Sequence, residues 1–353
     1  MHRKNTPVFL SLFFVSLLIL TACFGTISAQ EPAKIVLPET EAALVALESP
    51  PPLPENITNT GDLLMQLGLG NLTKLDIEEA EKAPVPDDVE EIKDIQYGDG
   101  DGTPLLLDLY LPRDRKEPLP GVIFIHGGGW SGGKRSDYRY YTMRVAQMGY
   151  AVATVSYRLV PKAVFPAAVQ DVKCAVRWMR ANADKYSINP DRIAAIGGSA
   201  GGHLSMMLGY SEGVPELEGK GGHQEYSSAV QAVVNLYGPV DITLPEHHDN
   251  PTLLGFFGGK RFDEAPDQYR LASPITHLTA DAPPTLIIHG TDDLTVPVDQ
   301  ADLLASRLKE LGVEYEYLRL EGYPHTLDII LEANAYCRWH IYRFLDKYLR
   351  KAD

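Results

Sequence analysis

Cysteine is almost missing from this 353-residue chain, with three in all: Cys23, Cys174 and Cys337. Cys23 falls in an N-terminal leader, and two thiols cannot form a disulfide framework. No Cys/His spacing matches a zinc site, so the sequence calls for no metal and no cofactor. Cys174 and Cys337 fall in helix-like patterns, which makes them buried free thiols with no local partner to activate them. Basic residues are also few. Lys and Arg number 32 against 47 Asp and Glu, a net charge of −15, and they form no long cluster. Nucleic-acid backbones and anionic membrane surfaces are bound through such clusters, so neither is expected as a partner. An acidic protein gains nothing by attraction from a polyanionic substrate either, which leaves neutral substrates as the expectation. No internal repeat is visible.

No apolar run reaches the roughly 20 residues of a membrane-spanning helix. The longest, Val8 to Leu20, follows His2-Arg3-Lys4 and has the build of a signal peptide. Small residues at Ile27-Ser28-Ala29 offer a cleavage site before Gln30, giving a leader over residues 1–29 and an exported protein, periplasmic or secreted. The alternative ending is Leu20-Thr21-Ala22-Cys23, which resembles a lipobox; the leader would then be 1–22 and Cys23 a lipid anchor. Residues 30–88 read as a Pro-rich acidic linker, with Ser49-Pro50-Pro51-Pro52-Leu53-Pro54 and Pro84-Val85-Pro86 as semi-extended spacers contributing no core. A short helix is expected inside it, between Gly61 and Ala80.

From Val89 to the C-terminus the pattern changes to strands alternating with helices. Ile92–Tyr97 and Leu105–Tyr110 predict an opening antiparallel pair. Short apolar runs at Gly121–His126, Ala151–Ser156, Ile193–Gly197, Val230–Tyr237, Thr285–His289 and Glu314–Leu320 predict six further strands. Helical spacing follows in 165–182, 298–311 and 327–349. This is the pattern of an α/β protein with a mainly parallel, eight-stranded sheet covered on both faces.

Three segments carry candidate chemistry. Gly197-Gly198-Ser199-Ala200-Gly201 fits G-x-S-x-G between a predicted strand and a predicted helix, the context of a nucleophile elbow. Such a turn lifts a serine to the carboxyl end of the sheet, where a helix N-terminus favours developing negative charge. His126-Gly127-Gly128-Gly129-Trp130 follows another strand, where bare backbone can approach a carbonyl oxygen. Gly128, Gly129 and Ala200 are the candidate oxyanion donors, and His126 is expected to brace the loop. A carboxylate and then a histidine should follow the serine in this order. Asp292 and Asp293 both follow the strand at Thr285–His289, and spacing does not separate them. His325, in Glu321-Gly322-Tyr323-Pro324-His325, follows the last strand. Asp171, Arg177 and Trp178 read as core support. His247-His248-Asp249 has only a faint metal-ligand look, and Phe256, Phe257 and Tyr269 read equally as a pocket wall or as anchors of their loop.

His126–Trp130, Val155-Ser156-Tyr157-Arg158-Leu159, Phe165-Pro166-Ala167-Ala168, Asp191-Arg192-Ile193 and Gly197–His203 together resemble α/β-hydrolases of the hormone-sensitive-lipase-like group. Within it the chain is most similar to bifunctional feruloyl and acetylxylan esterase-like proteins. The resemblance covers 89–353 and implies the α/β-hydrolase fold. In H-G-x-x-D-x-x-V-P it places the acidic residue at Asp293, completing a triad of Ser199, Asp293 and His325. It implies a serine carboxylic ester hydrolase working through an acyl-enzyme, a carbohydrate esterase that removes acetyl or feruloyl groups from plant polysaccharide. The substrate is then a small-molecule or polysaccharide ester, with Trp130 and Tyr323 as candidate substrate-stacking residues. This chain departs from the family in having Pro324 and Thr326 beside His325, where glycine usually flanks the histidine. Two other readings share the fold: a serine peptidase of the prolyl-oligopeptidase-like group, and a non-catalytic binding module.

Overall fold

The computed structural model describes residues 41–53 and 82–350. The leader, Cys23 and the segment from Gly61 to Ala80 lie outside the described residues. No described helix is long and apolar enough to cross a membrane.

Eight strands form one sheet: β1 (Val89–Gly100), β2 (Thr103–Pro112), β3 (Leu119–Ile125), β4 (Ala151–Val155), β5 (Ile188–Gly198), β6 (Ala232–Leu236), β7 (Thr285–Gly290) and β8 (Tyr315–Leu320). Their spatial order is β1-β2-β4-β3-β5-β6-β7-β8. The pairs β1/β2 and β2/β4 are antiparallel, and every later pair is parallel. All eight expected strands are present, and the fold is that of an α/β-hydrolase.

The central strands are apolar on both sides because both sides are covered. Ile123, Ala153, Ala195, Val233 and Ile287 point to one face, while Val122, Val152, Ala194, Val234 and Leu286 point to the other. Of the main helices, α1 (Glu41–Val45), α2 (Arg139–Gln147) and α6 (Leu331–Leu349) cover the second face. The first is covered by α3 (Ala167–Ala181), α4 (Ala200–Tyr210) and α5 (Asp299–Leu311). Within α3, Val169, Val172 and Val176 recur at helical spacing and are all fully buried. Cys174 and Cys337 are free and buried. Asp171 holds the Arg158 guanidinium at 2.8–3.0 Å, and Arg177 binds Glu218 at 3.0 Å, so both act as internal struts.

One expectation fails in the segment before Val89. Its proline spacing predicts no contribution to the core, yet Leu44 is 2% exposed and packs with the residues of α6. Leu47, Leu53, Ala83 and Val85 rest against the same cluster, and the Leu47 carbonyl accepts the Trp339 indole N–H at 3.3 Å. Proline spacing describes the backbone of this stretch; it carries no information about an apolar face on a distant helix that the stretch can cover. Full burial of one leucine is worth about 2 kcal/mol.

Candidate active site

Ser199 lies between the last residue of β5 and the first of α4. Its φ of 56° and ψ of −120° leave the regions open to most L-residues. Such a conformation costs about 1–3 kcal/mol and persists only where the surroundings impose it. Here the Ser199 N–H donates to Leu236 O of β6 at 2.9 Å, and Ser199 O accepts the His203 N–H at 3.0 Å. Glycine is forced on both sides of it. A Cβ on Gly201 would overlap the Ile125 carbonyl of β3, and one on Gly198 would meet the hydroxyls of Tyr138 and Tyr237 at 2.6 Å.

The loop after β3 brings a second set of backbone groups alongside. Gly128 and Gly129 have φ of +100° and +57°, and with Ser199 and Ala200 they line the same cavity. The Gly128 and Gly129 N–H groups donate to no other described residue. His126 faces away from this chemistry. Its Nδ1 lies 2.9 Å from Gly127 O, its ring stacks on Tyr157 at 4.3 Å, and burial pushes its pKa down. It braces the loop.

His325 and the two neighbouring aspartates are told apart by geometry. His325 Nε2 is 3.0 Å from Ser199 Oγ, and His325 Nδ1 is 2.6 Å from Asp293 Oδ2. Asp292 Oδ1 accepts the Thr291 hydroxyl at 3.3 Å, and the Asp292 N–H donates to Tyr323 O at 3.0 Å. Asp293 is 4% exposed, and every bond it accepts favours the ionised form. Oδ1 takes the N–H groups of Thr295 and Val296, each at 2.8 Å, and Oδ2 takes His289 Nε2 at 3.1 Å besides His325. Burial alone would raise the Asp293 pKa. The hydrogen bonds from His289 and His325 outweigh it and hold the group at about 2. His289 Nε2 also lies 2.8 Å from Val296 O, an acceptor, so this nitrogen carries the proton.

The cavity over Ser199 and His325 has a volume of about 670 Å³. Pro239, Ile242, Leu253 and Val296 give its lining an apolar part, and Tyr138, Tyr141, Tyr237 and Asp328 a polar one. No lysine or arginine among the described residues lines it. Trp130 borders the cavity but is 4% exposed and stacked on Phe256 at 4.3 Å, so it builds the wall. Phe256 belongs with Phe257 and Tyr269 to an aromatic stack behind it, which anchors that loop. Tyr323 does not suit the stacking role expected of it. It is 2% exposed, packs into the α6 side of the core and lines no part of the cavity. Its carbonyl lies against Gly290 and accepts the Asp292 N–H, which draws that turn down onto β7. His247 borders the cavity with Gln300 Nε2 3.0 Å from its Nε2, while His248 stacks on Phe262 at 4.2 Å. No cluster of three metal-binding side chains occurs among the described residues.

Sequence reasoning missed Tyr138, Tyr141, Tyr237, His289 and Asp328. His289 had a signal, since it precedes Gly290 in the same H-G-x-x-D-x-x-V-P run. The others match no motif: Asp328 follows His325 by three residues, but the tyrosines that meet it come from distant parts of the chain.

The sequence model of the family described as BD-FAE matches residues 107–308. Esterase LipC of Mycobacterium tuberculosis is 34% identical over 238 residues, 65% of this chain and 59% of that protein. The chain thus spans under three fifths of that relative's length. A solved structure described as a truncated carbohydrate esterase from gut microbiota superposes with a TM-score of 0.68 at 29% identity, covering 76% of this chain and 99% of that one. The propionate-bound esterase Est2 of Thermogutta terrifontis superposes with a TM-score of 0.64 at 26% identity, covering 76% and 98%.

Proposed function

Because the chain belongs to the BD-FAE family, we propose that it is a serine carboxylic ester hydrolase with Ser199 as nucleophile, His325 as general base and Asp293 as the carboxylate that orients it. The observation carrying this reading is the unbroken line from Asp293 Oδ2 through His325 to Ser199 Oγ, opening on the cavity. With Nδ1–H donated to Asp293, the free Nε2 lone pair faces the serine hydroxyl. Ser199 Oγ attacks the ester carbonyl as its proton passes to His325 Nε2. The charge on the carbonyl oxygen is taken up by the N–H groups of Gly128, Gly129 and Ala200. As the tetrahedral species collapses, the imidazolium protonates the departing alcohol and leaves an acyl-Ser199. Water activated by the same imidazole then releases the acid.

The substrate class follows from the lining and the relatives. A cavity free of lysine and arginine suits a neutral ester, and its volume exceeds what an acetyl group alone requires. With a carbohydrate esterase among the structural relatives, the enzyme is read as removing acetyl or feruloyl groups from plant polysaccharide. The leader pattern in residues 1–29 supports action outside the cytoplasm. The test is a panel of acetyl, butyryl, longer-chain and feruloyl esters with acetylated xylan, comparing wild type with Ser199→Ala. Turnover should fall by about 10⁴-fold or more at unchanged thermal stability. Ester turnover that survives in folded Ser199→Ala rejects the mechanism. Turnover of simple esters without xylan or feruloyl activity rejects only the polysaccharide.

A further inference from the structure

Asp328 stands three residues after His325 and is 3% exposed, yet it borders the cavity. A carboxyl group so placed is costly unless its oxygens are satisfied, and here they are. The Tyr237 hydroxyl donates to Oδ1, and the Tyr141 hydroxyl donates to Oδ2 at 3.2 Å. Tyr141 is in turn held by Asn334 Nδ2 at 2.7 Å, and the same amide donates to the Asp328 carbonyl at 2.7 Å. Arg338 Nε fixes the other end of that amide at 2.8 Å. The cluster thus ties the histidine turn to α2, to the end of β6 and to α6.

Tyr237 links this cluster to the reacting groups. Its ring meets the His325 imidazole at 4.8 Å and 65°, and its hydroxyl fills the space a Cβ on Gly198, next to Ser199, would need. Its φ of 43° is held by its N–H donating to Ile288 O at 2.9 Å. One phenol therefore touches the nucleophile turn, the base and the buried carboxyl.

We infer that Asp328 is a positioning residue for His325, acting through Tyr237 to keep the imidazole on line with Ser199 and adding a second negative charge beside it. The inference rests on the reading of Ser199 and His325 as nucleophile and base. The groups facing Asp328 are His325 on its own turn, Tyr237 after β6, Tyr138 before α2, Tyr141 on α2, and Cys337 and Arg338 on α6. Ser199, Asp293 and Tyr237 are the further polar neighbours of His325.

The experiment compares wild type, Asp328→Asn, Tyr237→Phe and the double variant in the full chain, measuring kcat, KM and the pH profile of kcat/KM on one activated ester. Asp328→Asn should lower kcat about tenfold or more with KM little changed. It should also move the acidic limb of the profile to lower pH, because the imidazolium loses a stabilising charge. Tyr237→Phe should lower kcat in the same way with a smaller limb shift. The double variant should be no slower than Asp328→Asn, since both act on one contact. A folded Asp328→Asn with wild-type kcat and an unmoved limb overturns the inference. If that variant does not fold, Tyr237→Phe decides: unchanged kcat overturns it, and lowered kcat at constant KM supports it. Loss of turnover in Ser199→Ala, measured alongside, separates failure here from failure of the proposed mechanism.

Discussion

The two turns that meet at the cavity are built differently. The serine turn is fixed by backbone. Gly197 and Gly201 are glycine because the carbonyls of Gly201 and Ile125 occupy the space a Cβ would need. The histidine turn is fixed by side chains, with Asp293, Asp328, Tyr141, Tyr237 and Asn334 converging from separate parts of the chain. Backbone crowding leaves no tolerance, so such a turn breaks at a single methyl group. A side-chain network spreads its load, and losing one member should weaken it in proportion.

The sharpest break in this comparison is electronic. Asp293→Asn keeps the shape of the histidine turn but reverses a donor and an acceptor, so kcat should fall by about 10⁴-fold, far more than the loss of about 2 kcal/mol in stability that accompanies it. Steady-state kinetics with a thermal melt checks this, and a loss under tenfold would remove Asp293 from its role. Next comes the backbone side. Gly201→Ala drives a Cβ into the Ile125 carbonyl and should cost about 3 kcal/mol, read as a lowered urea midpoint. A near-wild-type midpoint would mean that the turn yields more easily than its packing implies.

The third prediction concerns acid. The Asp293 pKa in the folded protein, about 2, lies below its ordinary 3.8. Its contribution, about 2 kcal/mol, is therefore complete above pH 4 and is lost as pH falls from 4 towards 2. Acid unfolding of Asp293→Asn should lack that segment of the slope. A smaller effect is expected at the network's rim. Asn334→Ala removes the amide that holds Tyr141 and the Asp328 carbonyl, and should cost about 1–2 kcal/mol with the serine turn undisturbed. Organophosphate labelling of Ser199, which draws on His325 as base, should then slow only modestly. Smallest of all, Leu294→Ser should change neither stability nor turnover beyond about 0.5 kcal/mol, because Leu294 is 77% exposed beside the buried Asp293.

The same contrast explains which parts of the site are legible in the sequence. Glycines forced by backbone contact lie close together in the chain, so the serine turn and the loop after β3 stand out as motifs along a single line of residues. The central strands β3 to β7 are equally legible, since burial on both faces leaves continuous apolar runs. The choice between Asp292 and Asp293 needs the family pattern, because both follow β7 and only the direction of each side chain differs. Asp328 and its tyrosines have no linear signature; 91 residues separate Tyr237 from Asp328 and 187 separate Tyr141 from it. Tyr323 misleads because an aromatic two residues before His325 looks the same in sequence whether its ring enters the cavity or the core.

The stretch before β1 bears on how this protein behaves in a test tube. Leu44 and its neighbours pack against apolar side chains of α6. A protein trimmed to begin at Val89 keeps every residue of the site, yet it presents that uncovered patch to other molecules. Such a product should turn over substrate at the full rate when freshly diluted and self-associate when concentrated. Loss of the segment should then surface first as turbidity on storage.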